Sequence, residues 1–105
     1  MARSKRNARR RNAEAQSLGD VLQLLISRMG IRRKLDEARM VDAWGIVAGP
    51  QVIAVTDRVW VKGSTLFVKV TSSTWRHELH LQRMQWKSRL NETLEGDFVD
   101  EVVFR

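Results

Sequence analysis

Hydrophobic and polar positions alternate in distinct ways along this chain. From Met1 to about Glu14 there is no apolar periodicity. From Ser17 onward Leu18, Val21, Leu22, Leu25 and Met29 recur at spacings of three and four, which predicts an amphipathic helix. Ser17 is placed to cap it, with Asp20 three residues on as in a capping box, and Gly30 supplies a stop. A second helical pattern covers 32–47 and turns Leu35, Ala38, Val41 and Trp44 toward a core. Gly49-Pro50 ends it, since proline cannot continue a helix. The pattern thus predicts a helical hairpin joined at Met29-Gly30-Ile31.

The period then changes to two. Val52 to Lys62 is rich in β-branched residues and Thr65 to Thr71 alternates, so the short Lys62-Gly63-Ser64 link makes a β-hairpin. Leu66, Val68 and Val70 share one face with Val55, Val59 and Val61. The other face carries Arg58, Trp60, Lys62, Phe67 and Lys69. Ser72-Ser73-Thr74 offers caps for a long helix over 74–94, with Trp75, Leu79, Trp86, Leu90 and Leu94 as its buried stripe and Leu81 and Met84 off it. Gly96 breaks that helix, and Phe98 to Arg105 reads as a last strand. The order α-α-β-β-α-β predicts an α+β fold, a three-stranded sheet with helices mainly on one face. It occupies 15–105 as a single domain behind a disordered arm over 1–14.

Charge sharpens the division. The chain has 105 residues and a formal net charge of +7. Arg3, Lys5, Arg6, Arg9, Arg10 and Arg11 hold six of its 19 basic side chains, which leaves 13 basic against 12 acidic residues over the other 94 positions. The excess sits in the arm, on a nearly neutral body. Mobile cations of this kind neutralise phosphates by counterion release, so the arm reads as a nucleic-acid contact rather than a solubilising tail. With no cysteine there is no disulfide, catalytic thiol or cysteine-based zinc site, which fits a reducing, cytoplasmic setting. No apolar run is long enough to span a bilayer, and no signal peptide is evident.

Several side-chain groups bear on function. Arg32, Arg33 and Lys34, with Arg28 a turn earlier, extend the basic patch onto the body; three cations at a helix start oppose its dipole, which favours a functional reason over a merely solvated one. The face with Arg58, Trp60, Lys62, Phe67 and Lys69 pairs rings with cations, the chemistry by which single strands are bound. Its structural alternative is that the first helices cover Trp60 and Phe67. His77 and His80 lack a third ligand and read as surface histidines. Gly45-Ile46-Val47-Ala48-Gly49 lacks the lysine and hydroxyl of a phosphate loop. No catalytic context is recognisable, so the chain reads as non-enzymatic, without cofactor or metal.

Trp44-Gly45-Ile46-Val47-Ala48-Gly49, then a hairpin with Gly63, Leu66, Val68 and Val70, then Ser72-Ser73-Thr74-Trp75-Arg76-His77-Glu78-Leu79 and a later Leu90-Asn91, resemble the DciA-like family over about Ser17 to Arg105. The resemblance implies a bacterial cytosolic protein with a KH-like fold. It also implies DNA binding, and an adaptor role at the replicative DnaB-type helicase, whose loading such proteins assist without ATPase activity. Trp44, Gly49, Ser73, Trp75 and Leu79 match the family motif; Trp44 and Trp75 look like core anchors. The G-x-x-G loop of true KH domains is absent. The rival reading is an RNA-binding module, on ribosomal or structured RNA, with no helicase contact.

Overall fold

In a computed structural model of the chain, the described residues are 17–105. The elements are α1 (Ala2–Val47), α2 (Gly49–Ala54), β1 (Thr56–Lys62), β2 (Thr65–Val70), α3 (Ser73–Leu81), α4 (Arg83–Leu94) and β3 (Glu101–Phe104). The expected disordered arm over 1–14, with Arg3, Lys5, Arg6, Arg9, Arg10 and Arg11, lies outside the described residues. The chain divides into two compact units, Met1–Lys34 and Leu35–Arg105.

In the first unit the described residues are helical and exposed, including Leu18, Val21, Leu22, Leu25 and Met29. The helical hairpin expected at Gly30 is not formed. Gly30 has no positive φ, and α1 runs through it to Val47. A glycine inside a helix costs only about 1 kcal/mol relative to alanine, and it stops a helix only where the backbone turns left-handed or a proline follows. Neither occurs here. Arg32, Arg33 and Lys34 are therefore mid-helix residues, and the dipole argument for them does not apply.

The second unit is α+β. Its sheet has the order β1-β2-β3, with β1 antiparallel and β3 parallel to the central β2. The Lys62↔Thr65 pair leaves Gly63-Ser64 as a two-residue turn. Gly63 has φ +64° and Ser64 has no positive φ, the pattern of a type II′ turn, whose first central position favours glycine. Leu66, Val68 and Val70 of β2 are buried, as are Val102 and Phe104 of β3. Val59 faces Val68 and Val61 faces Leu66, both packed against the same core. On this face lie Met40, Ala43 and Trp44 of α1, Leu79 of α3, and Trp86, Leu90 and Leu94 of α4. The Trp44 ring sits 5.1 Å from Trp86 and 5.6 Å from Phe104.

Other expectations need correction. The inward stripe of α1 is Met40, Ala43 and Trp44, whereas Leu35 and Ala38 are exposed and Val41 half-buried. Seating the Trp44 ring at 1% exposure fixes the helix rotation, with Met40 one turn back on that side and Ala43 beside it, one turn on from Met40. Val52 to Ala54 are helical, not strand: Pro50 stands at the start of α2, where its missing N–H is no loss. The long helix over 74–94 is divided at Gln82, whose N–H bonds back to Leu79 O at 3.1 Å in a tighter turn. Arg83 Nη1 donates to the neighbouring His80 O at 3.1 Å. The chain leaves α4 through Glu95 in the left-handed region, φ 58°, one residue before the expected Gly96.

Candidate nucleic-acid interface

With the helices on one side of the sheet, the other side presents alternate residues of the hairpin. Trp60 and Phe67 are directly opposed partners, their rings 5.4 Å apart and 8° from parallel. Both are half-buried, and neither belongs to the core or packs against it. The Arg58 guanidinium lies 5.1 Å from the Trp60 ring centre, and that of Arg105 lies 4.8 Å from Phe67. Such cation–π contacts hold guanidinium groups beside aromatic faces at about 0.5–1 kcal/mol each in exposed settings. Both cations remain exposed. The result is a flat aromatic pair with a cation held over each ring.

Lys62 and Lys69 complete the patch. Lys62 is exposed at the turn end of β1. Lys69 faces Arg58 across the ladder, and its Nζ is 3.7 Å from Asp57 Oδ2. The register shifts between Thr56 and Arg58, so Asp57 is the extra residue of a β-bulge. Both partners of this ion pair are more than half exposed, at 59% and 53%, so the pair is weak and exchangeable. All five expected sheet residues, Arg58, Trp60, Lys62, Phe67 and Lys69, thus share one face. Within the second unit, neither ring joins the core cluster that includes Met40, Ala43 and Trp44 of α1.

Two residues of this face are legible only from the structure. Arg105 follows β3, its backbone tied to β2 by Arg105 N–H to Val68 O at 2.8 Å and Val70 N–H to Arg105 O at 2.7 Å. That tie places it over Phe67. Asp57 contributes a carboxylate to the cationic face. Arg32, Arg33 and Lys34 are exposed but belong to the first unit.

The motif residues behave differently. Trp44 is a core anchor, with Nε1 donating to Thr56 Oγ1 at 3.4 Å, and Leu79 is fully buried. Trp75 is only half-buried, against the core. Ser73 is exposed, because Ser72 is the cap: its Oγ accepts from Trp75 N–H at 3.3 Å. Gly49 takes φ +80° at the α1–α2 corner. Gly49, Trp75 and Leu79 together line an open groove of about 540 Å³, with Pro50, Glu78 and Gln82 around them. His77 and His80 are exposed, and no cluster of potential metal ligands exists among the described residues. No helix among the described residues is long and apolar enough to cross a membrane.

The model of the family described as Dna[CI] antecedent, DciA matches residues 17–104. The chain belongs to the DciA family. That match takes in all of the second unit except Arg105, hence the groove and the rest of the sheet face. DciA proteins are associated with loading of the DnaB helicase and are not a known enzyme family. No curated protein matches the chain.

Proposed function

We propose that this DciA-family chain is a non-enzymatic adaptor that binds single-stranded DNA and acts on the replicative DnaB-type helicase during its loading. One observation carries the DNA-binding part. Trp60 and Phe67 form a stacked pair outside the core, with Arg58 and Arg105 over their faces. Bases stack on such rings with little regard to sequence, while neighbouring cations neutralise the backbone. Lys62 and Lys69 extend the path. The cations of the arm and of Arg32, Arg33 and Lys34 add affinity without sequence preference. The helicase part is supported by family membership, and by the three motif residues that line a groove on a different set of elements from the hairpin face.

The test is fluorescence anisotropy with a labelled oligonucleotide. Trp60→Ala and Phe67→Ala should each weaken single-stranded DNA binding at least about fivefold, a stacked base being worth roughly 1–3 kcal/mol. Neither ring supports the core, so thermal melting should change little. Unchanged affinity with an intact melt would remove the sheet face from the reading. Matched RNA binding much more tightly, with no helicase captured in a direct pull-down, would favour the RNA module instead.

A further inference from the structure

The groove lined by Gly49, Trp75 and Leu79 has a chemistry opposite to that of the hairpin face. Glu78 is the only charged residue lining it, on a chain whose formal net charge is +7. Its carboxylate is exposed and makes no ion pair among the described residues, where Asp57–Lys69 is the one ion pair formed. Trp75 stands three residues earlier on α3, so the two side chains are neighbours on the helix surface and line the groove together. Trp60 and Trp86 each hold a guanidinium over the ring, Arg58 at 5.1 Å and Arg89 at 5.2 Å. The half-buried Trp75 ring holds none among the described residues. An open ring beside an unpaired carboxylate suits a guanidinium, which stacks on the one and forks onto the other.

A further group narrows the class of ligand. Trp86 is 6% exposed in the groove wall, and its Nε1–H has no acceptor among the described residues. A buried donor without an acceptor is costly, so a ligand that brings one is favoured. A peptide carbonyl is such an acceptor and is neutral. A phosphate oxygen would also accept, but the carboxylate of Glu78 repels it, and like-charge juxtaposition is what excludes a wrong partner.

We infer that the groove takes an extended protein segment carrying an arginine. The guanidinium stacks on Trp75 and pairs with Glu78, and a backbone carbonyl of the segment accepts from Trp86 Nε1–H. This rests on the reading of the groove as the surface where a protein partner docks, and it names the chemistry of that partner. Opposite charge then sorts the ligands of the second unit: nucleic acid goes to the hairpin face and a basic segment to the groove, without competition.

The probe is the blocked tripeptide acetyl-Gly-Arg-Gly-amide, titrated into the full-length protein and followed through the indole N–H signals of its four tryptophans. The Trp75 and Trp86 signals should shift and saturate while that of Trp60 stays. The tripeptide with norleucine for arginine, which keeps an apolar stem without the charge, should bind at least about fivefold more weakly. Glu78→Gln, at an exposed position, should melt like the wild type and bind the arginine peptide several-fold more weakly, with norleucine binding unchanged. No shift at Trp75 and Trp86 overturns the inference, as does equal binding of the two peptides. So does a Glu78→Gln protein that melts normally and binds the arginine peptide as tightly as the wild type. The titration contains no helicase, so the two readings fail separately. A helicase that is not captured, with arginine binding intact, removes the helicase and leaves the groove's chemistry supported.

Discussion

Asn91 grips the backbone of Val99 with both ends of its amide: Nδ2 donates to Val99 O at 2.9 Å, and Val99 N–H donates to Oδ1 at 2.8 Å. Val99 is 1% exposed, so neither backbone group has access to water as a substitute. The pair holds the segment between α4 and β3, and Asp100 N–H to Ser64 O at 2.9 Å then ties that segment to the hairpin turn. Asn91→Ala strands a buried donor and a buried acceptor and should cost about 2 kcal/mol or more. In a domain of this size that lowers the melting temperature by roughly 10 °C. Asn91→Asp keeps the acceptor and loses the donor, so it too should melt early. A calorimetric or circular-dichroism melt checks both, and an unchanged Asn91→Ala melt would mean the clamp is not formed in solution.

Gly30 provides a direct test of how α1 is built. An ideal Cβ placed there meets nothing within 4 Å, and the backbone is helical. Gly30→Ala should therefore raise helicity and stabilise α1 by up to about 1 kcal/mol. If the chain instead turned at Gly30 through a left-handed corner, the same substitution would destabilise it. The sign of the change, read by circular dichroism, separates a continuous helix from a hairpin.

The local parts of the fold were legible because local chemistry fixes them. Alternation identifies the hairpin and its two faces, and it is enough to place Arg58, Trp60, Lys62, Phe67 and Lys69 on one of them. Leu79, Trp86, Leu90 and Leu94 keep helical phase across the break at Gln82, which is why one helix and two look alike in the sequence. Glycine and proline were harder to read, since each has two meanings. Gly30 reads as a stop, yet a helix tolerates it, and Pro50 reads as an end, yet it also begins α2. Arg105 escaped notice for a different reason. Its place over Phe67 depends on the parallel pairing of β3 with β2, a contact between strands about 35 residues apart that no local pattern encodes. Asp57 escaped because a β-bulge, which sets its aim, leaves no mark in an alternating run.

The basic arm, as proposed here, acts through charge alone. Each neutralised phosphate of a single strand contributes about 0.7 to the slope of log affinity against log salt. Removing residues 2–14 deletes six cations, so the slope should flatten by up to about 4. The Trp60→Ala protein should lose affinity with its slope nearly intact, because stacking releases no counterions. Titrations at several salt concentrations distinguish the two contributions. An arm deletion that leaves both affinity and slope unchanged would leave the sheet face as the whole interface.

Asp57 offers a substitution expected to increase binding. Its carboxylate sits 3.7 Å from Lys69 Nζ and holds one of the cations of the sheet face in an exposed ion pair. That pair adds under about 1 kcal/mol to stability, so Asp57→Asn should melt close to the wild type. On the proposed interface, the substitution removes an anion that repels phosphate and frees Lys69 to meet one. Affinity for single-stranded DNA should rise a few-fold, and the salt slope should steepen by about 0.7. Lys69→Gln should move both quantities the opposite way. Because a residue that merely supports folding does not strengthen binding when removed, the gain is the informative outcome. Weaker binding by Asp57→Asn, with its fold intact, would place the phosphate path away from this edge of the hairpin.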